Sequence, residues 1–476
     1  MTVTISAARL AAVLTPSQGV AYRDLADQVR LLIVDGRIAA GARLPSEREL
    51  AAATGLSRTT TARAYAELRD AGLLRSRRGS GSVVHLPFAE SSASSLIESP
   101  DDDSGIAMTY AAPVAPSGLG RAFEAATARL PGLLSTSGYL PDGLPALREL
   151  LAQRYEARGL PTSPDQIVVT NGALGAASLI ARAFVERADR VLVESVSYPH
   201  AHEAFTAAGA RLTPLPVNAD GPWDVDTAVA MLASGRHRAA YLIPDFHNPT
   251  GAVMSESSRG ALAQAMKRAG TLAVIDESLR DINLDGVALP PSFGSYDDNA
   301  LLVDSASKTF WGGLRVGWIR APHDLVMPLV QARMTHDLGT AAFEQLVFAE
   351  VLRNPEPVLT SALDGFRRQR DHLVDLLAEH LPELDVVRPA GGLSIWAGLP
   401  DHNSTRLVVA AREHGLLLTP GPRFFTGAPS AGEGFLRLPY TLSTTVLDDA
   451  VHRLAKAYEG RPADDAPDGH RLDLIA

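Results

Sequence analysis

Between residues 16 and 85 the apolar positions first follow a helical period and then break. Leu25, Val29, Leu32 and Ile33 recur at the spacing of one helix face, and Gly36 offers a stop. Pro45 precedes Ser46-Glu47-Arg48-Glu49, which reads as a capping box: the Ser46 hydroxyl takes the Glu49 N–H while the Glu49 carboxylate reaches back. A short helix is therefore expected to run to Ala53 and end at the Thr54-Gly55 turn, after which Ser57 caps a second helix reaching Asp70. Two short helices about a glycine turn make a helix-turn-helix. Leu73-Leu74-Arg75, Arg77-Arg78-Gly79-Ser80-Gly81 and Val83-Val84 then predict a hairpin with a basic, glycine-rich tip, the wing of a winged helix.

This patterning stops at residues 86–107, which are rich in Ser, Asp and Glu and read as a linker. From Met108 onward short apolar runs at 167–170, 190–194, 240–244, 272–276, 301–304 and 316–320 alternate with helix-length segments. Such alternation predicts an α/β domain with a mainly parallel sheet over residues 108–460, leaving 461–476 as a polar tail. Ligands on these sheets bind beyond the carboxyl ends of the strands, so candidate chemistry is sought there.

Composition narrows the function classes. The chain has 476 residues, 46% of them hydrophobic and 21% charged, enough for two or three domains with a large core. It contains no cysteine, which excludes disulfides, thiolate catalysis and Cys-ligated metal sites. No metal site is expected from the other residues. The first fourteen residues lack a basic start followed by an apolar core, and no uncharged apolar run spans a bilayer, so a cytoplasmic address is expected. The net charge of −10 argues against nucleic acid, but residues 22–85 carry 11 arginines against 7 acidic residues. A basic head on an acidic body is the asymmetry of a nucleic-acid reader. Arg43, Arg48, Arg58, Arg63, Arg77 and Arg78 can replace counterions on phosphates, and Thr59 and Thr60 sit in the first turn of the second helix, where base edges are read.

Lysine is rare: only Lys267, Lys308 and Lys456 occur among 44 basic residues, so a lysine in a recognisable site invites a chemical reason that arginine cannot meet. Pyridoxal 5′-phosphate (PLP) needs a lysine for a Schiff base, a carboxylate for its pyridine nitrogen, an aromatic face and a cup for its phosphate. The strand ends offer each in order. Gly172, Ala173 and Leu174 open a helix whose N-terminal amides suit a phosphate. Tyr198 can stack on the ring, and Asn248 in PDFHNPTG can donate to the phenolic oxygen. Asp276 ends a very apolar strand, where an unpaired carboxylate is costly and a pyridinium partner would offset that cost. Ser305, Ser307 and Arg315 flank Lys308 in SASK…GGLRVGW and complete the phosphate cup.

The run from Arg43 to Val84 resembles the winged-helix domain of GntR-type bacterial regulators. That resemblance implies dimeric binding to paired half-sites of double-stranded DNA, with Arg43, Ser46, Arg48, residues 57–63 and the wing's Arg77, Arg78, Gly79 and Gly81 at the interface. Residues 138–437 are similar to fold-type I PLP-dependent aminotransferases, also through GYLPDGLPALRELLAQRY, GGLSIWAGLP and PGPRFF. In that family the position of Arg437 binds a substrate α-carboxylate. Head, linker and body together are the architecture of the MocR subfamily. This implies a head-to-tail homodimer in which Tyr139 approaches the partner's phosphate site, with PLP, alone or joined to an amino compound, as effector. The alternative is a working aminotransferase with an appended DNA-binding head. Two departures stand out: Ser278 where many relatives have a tyrosine touching the phenolic oxygen, and apolar Ala173 and Leu174 after the glycine-rich turn. The first puts efficient transamination in doubt more than cofactor binding.

Overall fold

The computed structural model describes residues 4–14, 21–34, 38, 42–77, 81–84, 105–218, 223–400 and 403–459. The chain divides into two compact units, residues 1–99 with 115–124, and residues 100–114 with 125–476.

In the first unit the helices are α1 (Ala7–Ala11), α2 (Ala21–Val34), α3 (Glu47–Thr54) and α4 (Arg58–Asp70). The capping box forms as the spacing predicts: Glu49 N donates to Ser46 Oγ at 3.3 Å, and Ser46 N to Glu49 Oε2 at 2.8 Å. Gly55, at φ 72°, ends α3 in the left-handed region that its missing side chain permits. Ser57 caps α4, accepting from Thr60 N at 3.0 Å. Strands β1 (Leu74–Arg77) and β2 (Gly81–Val84) pair antiparallel from Leu74↔Val84 to Arg77↔Gly81. Leu25, Val29, Ile33, Leu50, Tyr65 and Leu68 meet in one core under these elements. The buried Tyr65 hydroxyl donates to Pro45 O at 2.8 Å, tying α4 to the entrance of α3.

In the second unit β3 (Ile106–Ala107) is followed by β4 (Ile167–Thr170), β5 (Arg190–Glu194), β6 (Arg211–Leu215), β7 (Ala239–Leu242), β8 (Leu272–Asp276), β9 (Leu301–Ser305) and β10 (Gly317–Arg320). Strands β4 to β10 form a seven-stranded sheet in the order β4-β10-β9-β8-β7-β5-β6. All its pairings are parallel except those of β10, which runs against both neighbours. An antiparallel strand brings its beginning to the edge where its neighbours end, so the turn before Gly317 joins the carboxyl ends of the rest. The seventh strand, β6, is absent from the sequence expectation; it lies at the sheet edge, half-exposed and carrying Pro214, where a missing N–H is tolerated.

Four further strands, β11 (Asp385–Val386), β12 (Ser394–Gly398), β14 (Thr419–Pro420) and β15 (Phe435–Pro439), form a small antiparallel sheet, while β13 (Leu416–Leu417) pairs parallel with β3. The expected linker therefore ends before residue 106 in structural terms. Its residues 86–104, and the tail 461–476, lie outside the described residues.

Candidate functional site

The carboxyl edge of the seven-stranded sheet gathers the predicted cofactor residues. Lys308 follows β9 on a one-turn helix, Ala306–Thr309, and lines a pocket of about 310 Å³ with Asn248, Phe246, Leu279, Ala111 and Ser394. Burial is the main cause holding its amine down to about 8, reinforced by the Arg437 guanidinium and opposed by the Asp276 carboxylate. The ammonium donates to Ala111 O at 2.8 Å.

Asp276, at the end of β8, is buried and oriented from two sides. Ser278 N donates to Oδ1 at 2.9 Å and the Tyr241 hydroxyl to Oδ2 at 2.6 Å. Tyr241 lies on the neighbouring strand β7 and is fully buried. Sequence reasoning missed it because a tyrosine inside an apolar strand reads as core. Ser278 reaches this site through its backbone. Its side chain is not among those lining the pocket; Leu279, one residue on, is.

The residues expected to form the phosphate cup meet where β4 pairs with β10. The Gly172 turn is so close to β10 that a Cβ on Gly317 would stand 2.4 Å from Gly172 C. Arg315, in the left-handed region at φ 50°, donates from Nη2 to Asn171 O at 2.9 Å, and its guanidinium borders Gly172 Cα. Asn171 Nδ2 in turn donates to Asp337 at 2.9 Å, and Asp337 accepts from the fully buried Arg333 at 2.8 Å. Sequence reasoning missed this brace, whose members lie far apart in the chain. Ser307 Oγ is buried without a hydrogen-bond partner, which an oxyanion would supply. Ser305 is committed instead: its hydroxyl accepts from Ser307 N at 3.1 Å and donates to Val316 O at 3.2 Å, so it shapes the Lys308 turn. Ala173 is half-buried and Leu174 exposed at the start of the helix Gly172–Phe184, leaving their backbone amides as the relevant groups.

Tyr198 caps the helix Pro199–Ala207, and burial pushes its hydroxyl up to about 12, with Asp276 adding to the rise and Arg437 and Arg315 opposing it. The ring thus sits among the groups expected to surround a cofactor. Asn248 accepts from Arg437 Nη1 at 3.4 Å through Oδ1, which leaves its Nδ2 to donate. The loop that carries it is anchored by Asp245, fully buried between Arg259 at 2.6 Å and Arg280 at 2.8 Å. His247 beside it stands 3.2 Å from Glu194. Burial alone would raise the Glu194 carboxyl, but His247, Trp223 and the Ile243 N–H hold it below the usual carboxylate range.

Arg437 on β15 is buried over the Phe424 ring, 4.7 Å from its centroid, and donates to Thr109 O at 2.6 Å, while its Nε has no partner. Tyr139 is exposed and does not line the pocket. The residues present fit PLP: an amine made nucleophilic by burial, an oriented carboxylate, a glycine turn beside an arginine and an orphaned hydroxyl.

In the first unit Arg43, Ser46, Arg48, Ser57, Arg58, Thr59 and Arg63 are exposed, and Thr60 is half-buried. The Arg63 guanidinium lies over the Tyr22 ring, 4.3 Å from its centroid. Arg77 and Gly81 belong to the wing strands, and Arg78 and Gly79 at its tip lie outside the described residues.

Comparison with known proteins separates the same two parts. Residues 21–84 match the gntR family of bacterial regulatory proteins, and residues 135–454 match aminotransferase class I and II. The chain is 27% identical to the uncharacterized HTH-type transcriptional regulator YdfD of Bacillus subtilis, across 89% of this chain and 93% of that protein. It is 31% identical to a 2-aminoadipate transaminase of Thermus thermophilus, across 68% of this chain and 81% of the enzyme. Among solved structures, α-aminoadipate aminotransferase from Thermus thermophilus, complexed with N-(5′-phosphopyridoxyl)-L-leucine, superimposes with a TM-score of 0.67 at 28% identity, covering 75% of this chain and 93% of that one. The match to the regulator is too long for the aminotransferase-like body alone.

Proposed function

The chain belongs to the class I and II aminotransferase family and carries a GntR-type DNA-binding head, and from that premise we propose that it is a transcription regulator whose body senses PLP or a PLP-amine adduct. The observation that carries this reading is the grouping of Lys308, the oriented Asp276 carboxylate, Arg315 and the orphaned Ser307 hydroxyl at the strand ends, on the same polypeptide as a capped helix that exposes Arg58, Thr59 and Arg63. PLP supplies an aldehyde and an electron-withdrawing ring.

The chain's own residues do the rest. Lys308, its amine held down to about 8 by burial, reaches the neutral form more readily than an ordinary lysine, Asp276 would hold a proton at the pyridine nitrogen, and Tyr241 keeps that carboxylate aimed. Gly172, Ser307 and Arg315 take the phosphate, and Tyr198 supplies the aromatic face. Arg437, buried and cationic, takes a carboxylate, so the effector class is an amino acid or related amino carboxylate. A homodimer, arranged head to tail with Tyr139 turned toward the partner's site, accounts for the exposure of that ring and would engage paired half-sites on DNA. Ligand occupancy then biases the spacing of two heads by a coupling of typically ~1–3 kcal/mol.

Leu279 favours sensing over turnover, because it supplies no hydroxyl beside Lys308 and Asn248. The test is binding of the purified protein to DNA upstream of its own gene, at fixed salt, with and without PLP. A PLP-dependent affinity or footprint that Lys308→Ala abolishes supports the reading. An unchanged response in Lys308→Ala overturns it. Conversion of amino acids at catalytic rates without any effect on DNA binding would favour an aminotransferase with an appended head.

A further inference from the structure

Lys308, which lines the pocket, and Arg437, which donates to the pocket's Asn248, are already held by backbone carbonyls, and both carbonyls come from one short segment. Arg437 Nη2 donates to Thr109 O at 2.6 Å, and Lys308 Nζ to Ala111 O at 2.8 Å. Thr419 Oγ1 also reaches Thr109 O, at 3.4 Å. The opposite edge of the segment is stitched to β13: Ile106 N donates to Gly415 O and Met108 N to Leu417 O, both at 2.8 Å. Amides of Ile106 and Met108 therefore face β13 while carbonyls of Thr109 and Ala111 face Arg437 and Lys308, as alternate edges of an extended strand do. In sequence this segment directly follows the linker that leads from the DNA-binding head.

Neither carbonyl can keep its partner unchanged when the pocket fills. A lysine nitrogen that condenses with an aldehyde loses its donors: the ammonium gives up one proton to attack, both remaining hydrogens leave as water forms, and a protonated imine keeps only one N–H. A carboxylate closing on Arg437 competes with Thr109 O for the guanidinium, whose Nε is still free to complete a bidentate edge.

We propose that residues 105–111 form a strap whose Thr109 and Ala111 carbonyls stand in for ligand on Arg437 and Lys308, and that cofactor and carboxylate displace them, passing pocket occupancy into the linker. This inference rests on the cofactor reading above and names the first moving part of its regulation.

Gly105 provides the means to unseat the strap without touching the pocket. It sits at φ 111°, and a Cβ there would stand 2.1 Å from Gly415 O, so Gly105→Ala forces the strap off β13. The experiment is amide hydrogen exchange on the full chain, alone, with PLP, and with N-(5′-phosphopyridoxyl)-L-leucine, which carries phosphate, ring and carboxylate without turnover. The peptide covering 105–112 is expected to exchange several-fold faster with the adduct than in the free protein. Gly105→Ala is expected to exchange fast without ligand and to bind the adduct several-fold more tightly, since the competing carbonyls have been withdrawn. Binding of the adduct with exchange of 105–112 unchanged or slowed overturns the strap alone, as does a loosened strap in Gly105→Ala with unchanged or weaker binding. Absence of both adduct binding and the visible band of lysine-linked PLP overturns the cofactor reading and the strap with it.

Discussion

The Tyr241 hydroxyl donates to Asp276 Oδ2 at 2.6 Å from a neighbouring strand, both residues being buried. A carboxylate out of water is tolerable only while its lone pairs are met. Ser278 N meets Oδ1, Tyr241 meets Oδ2, and the remaining lone pairs can face a pyridinium. Tyr241→Phe removes one hydrogen bond to a charged group and keeps the ring's packing, so the cost is about 1.5–3 kcal/mol. The expected result is PLP binding weaker by roughly tenfold or more, with the head's DNA affinity in the absence of PLP unchanged. Titration of the visible cofactor band against PLP concentration checks it; an unaltered affinity would make Tyr241 a passive core residue.

Gly317 and Gly172 approach closely where the phosphate is proposed to sit, and Gly317→Ala would place a methyl 2.4 Å from Gly172 C and 2.7 Å from its Cα. Backbone, unlike a flexible side-chain end, cannot step aside locally, so β4 and β10 must separate or the Gly172 turn must shift. Overpacking of this kind costs typically 1–3 kcal/mol. Thermal unfolding of the variant is expected to begin at lower temperature, and PLP is expected to be lost on dialysis that leaves the wild type loaded. Unchanged retention of PLP would show that the phosphate does not depend on this turn.

The parts of the fold that were legible in the sequence are those set by near neighbours. The Ser46/Glu49 capping box joins residues three apart, and the apolar runs of β4, β5, β8 and β9 announce buried strands without reference to anything distant. What stayed hidden is non-local. Tyr241 and Asp276 are 35 residues apart, and the Asn171–Asp337 contact spans 166. The carbonyls of Thr109 and Ala111 act through backbone atoms, which no residue type signals. At position 278 the contact is again a backbone one, the Ser278 amide on the Asp276 carboxylate, while Leu279 lines the pocket. The small sheet of β11, β12, β14 and β15 is built from short strands whose paired residues lie up to 45 positions apart, as Ser394 and Pro439 do, and carries no strong local pattern.

Lys308 sets a pH dependence for cofactor capture. Burial and the Arg437 and Arg315 charges lower its pKa to about 8 against the counter-pull of Asp276, so the neutral amine is half-populated there. Only the neutral form attacks an aldehyde. The rate of PLP uptake should therefore climb about tenfold per pH unit well below that value and level off above it, whereas an ordinary lysine would keep climbing past pH 10. Stopped-flow absorbance between pH 6 and 9.5 reads this directly, with Lys308→Ala as the control that shows no band. A rate still rising steeply at pH 9.5 would place the amine in a far more solvated setting.

Arg58 opens α4 at the helical position where a cation is least welcome, since the N-terminal turn carries the positive end of the helix dipole and holds no acidic residue. Its exposure offers no packing reason for it. A phosphate provides one: backbone amides and guanidinium then converge on the same anion. Arg58→Ala is accordingly expected to act with opposite signs on two measurements. Stability of the head should stay level or rise by about 0.3–1 kcal/mol as the unfavourable charge leaves. Affinity for DNA should fall, and the slope of log affinity against log salt should flatten by about one unit, the loss of a single phosphate contact. Fluorescence anisotropy over a salt series measures the slope. A weakened affinity with the slope intact would move Arg58 from the phosphates to a base edge, and the loss should then concentrate on one position of the operator.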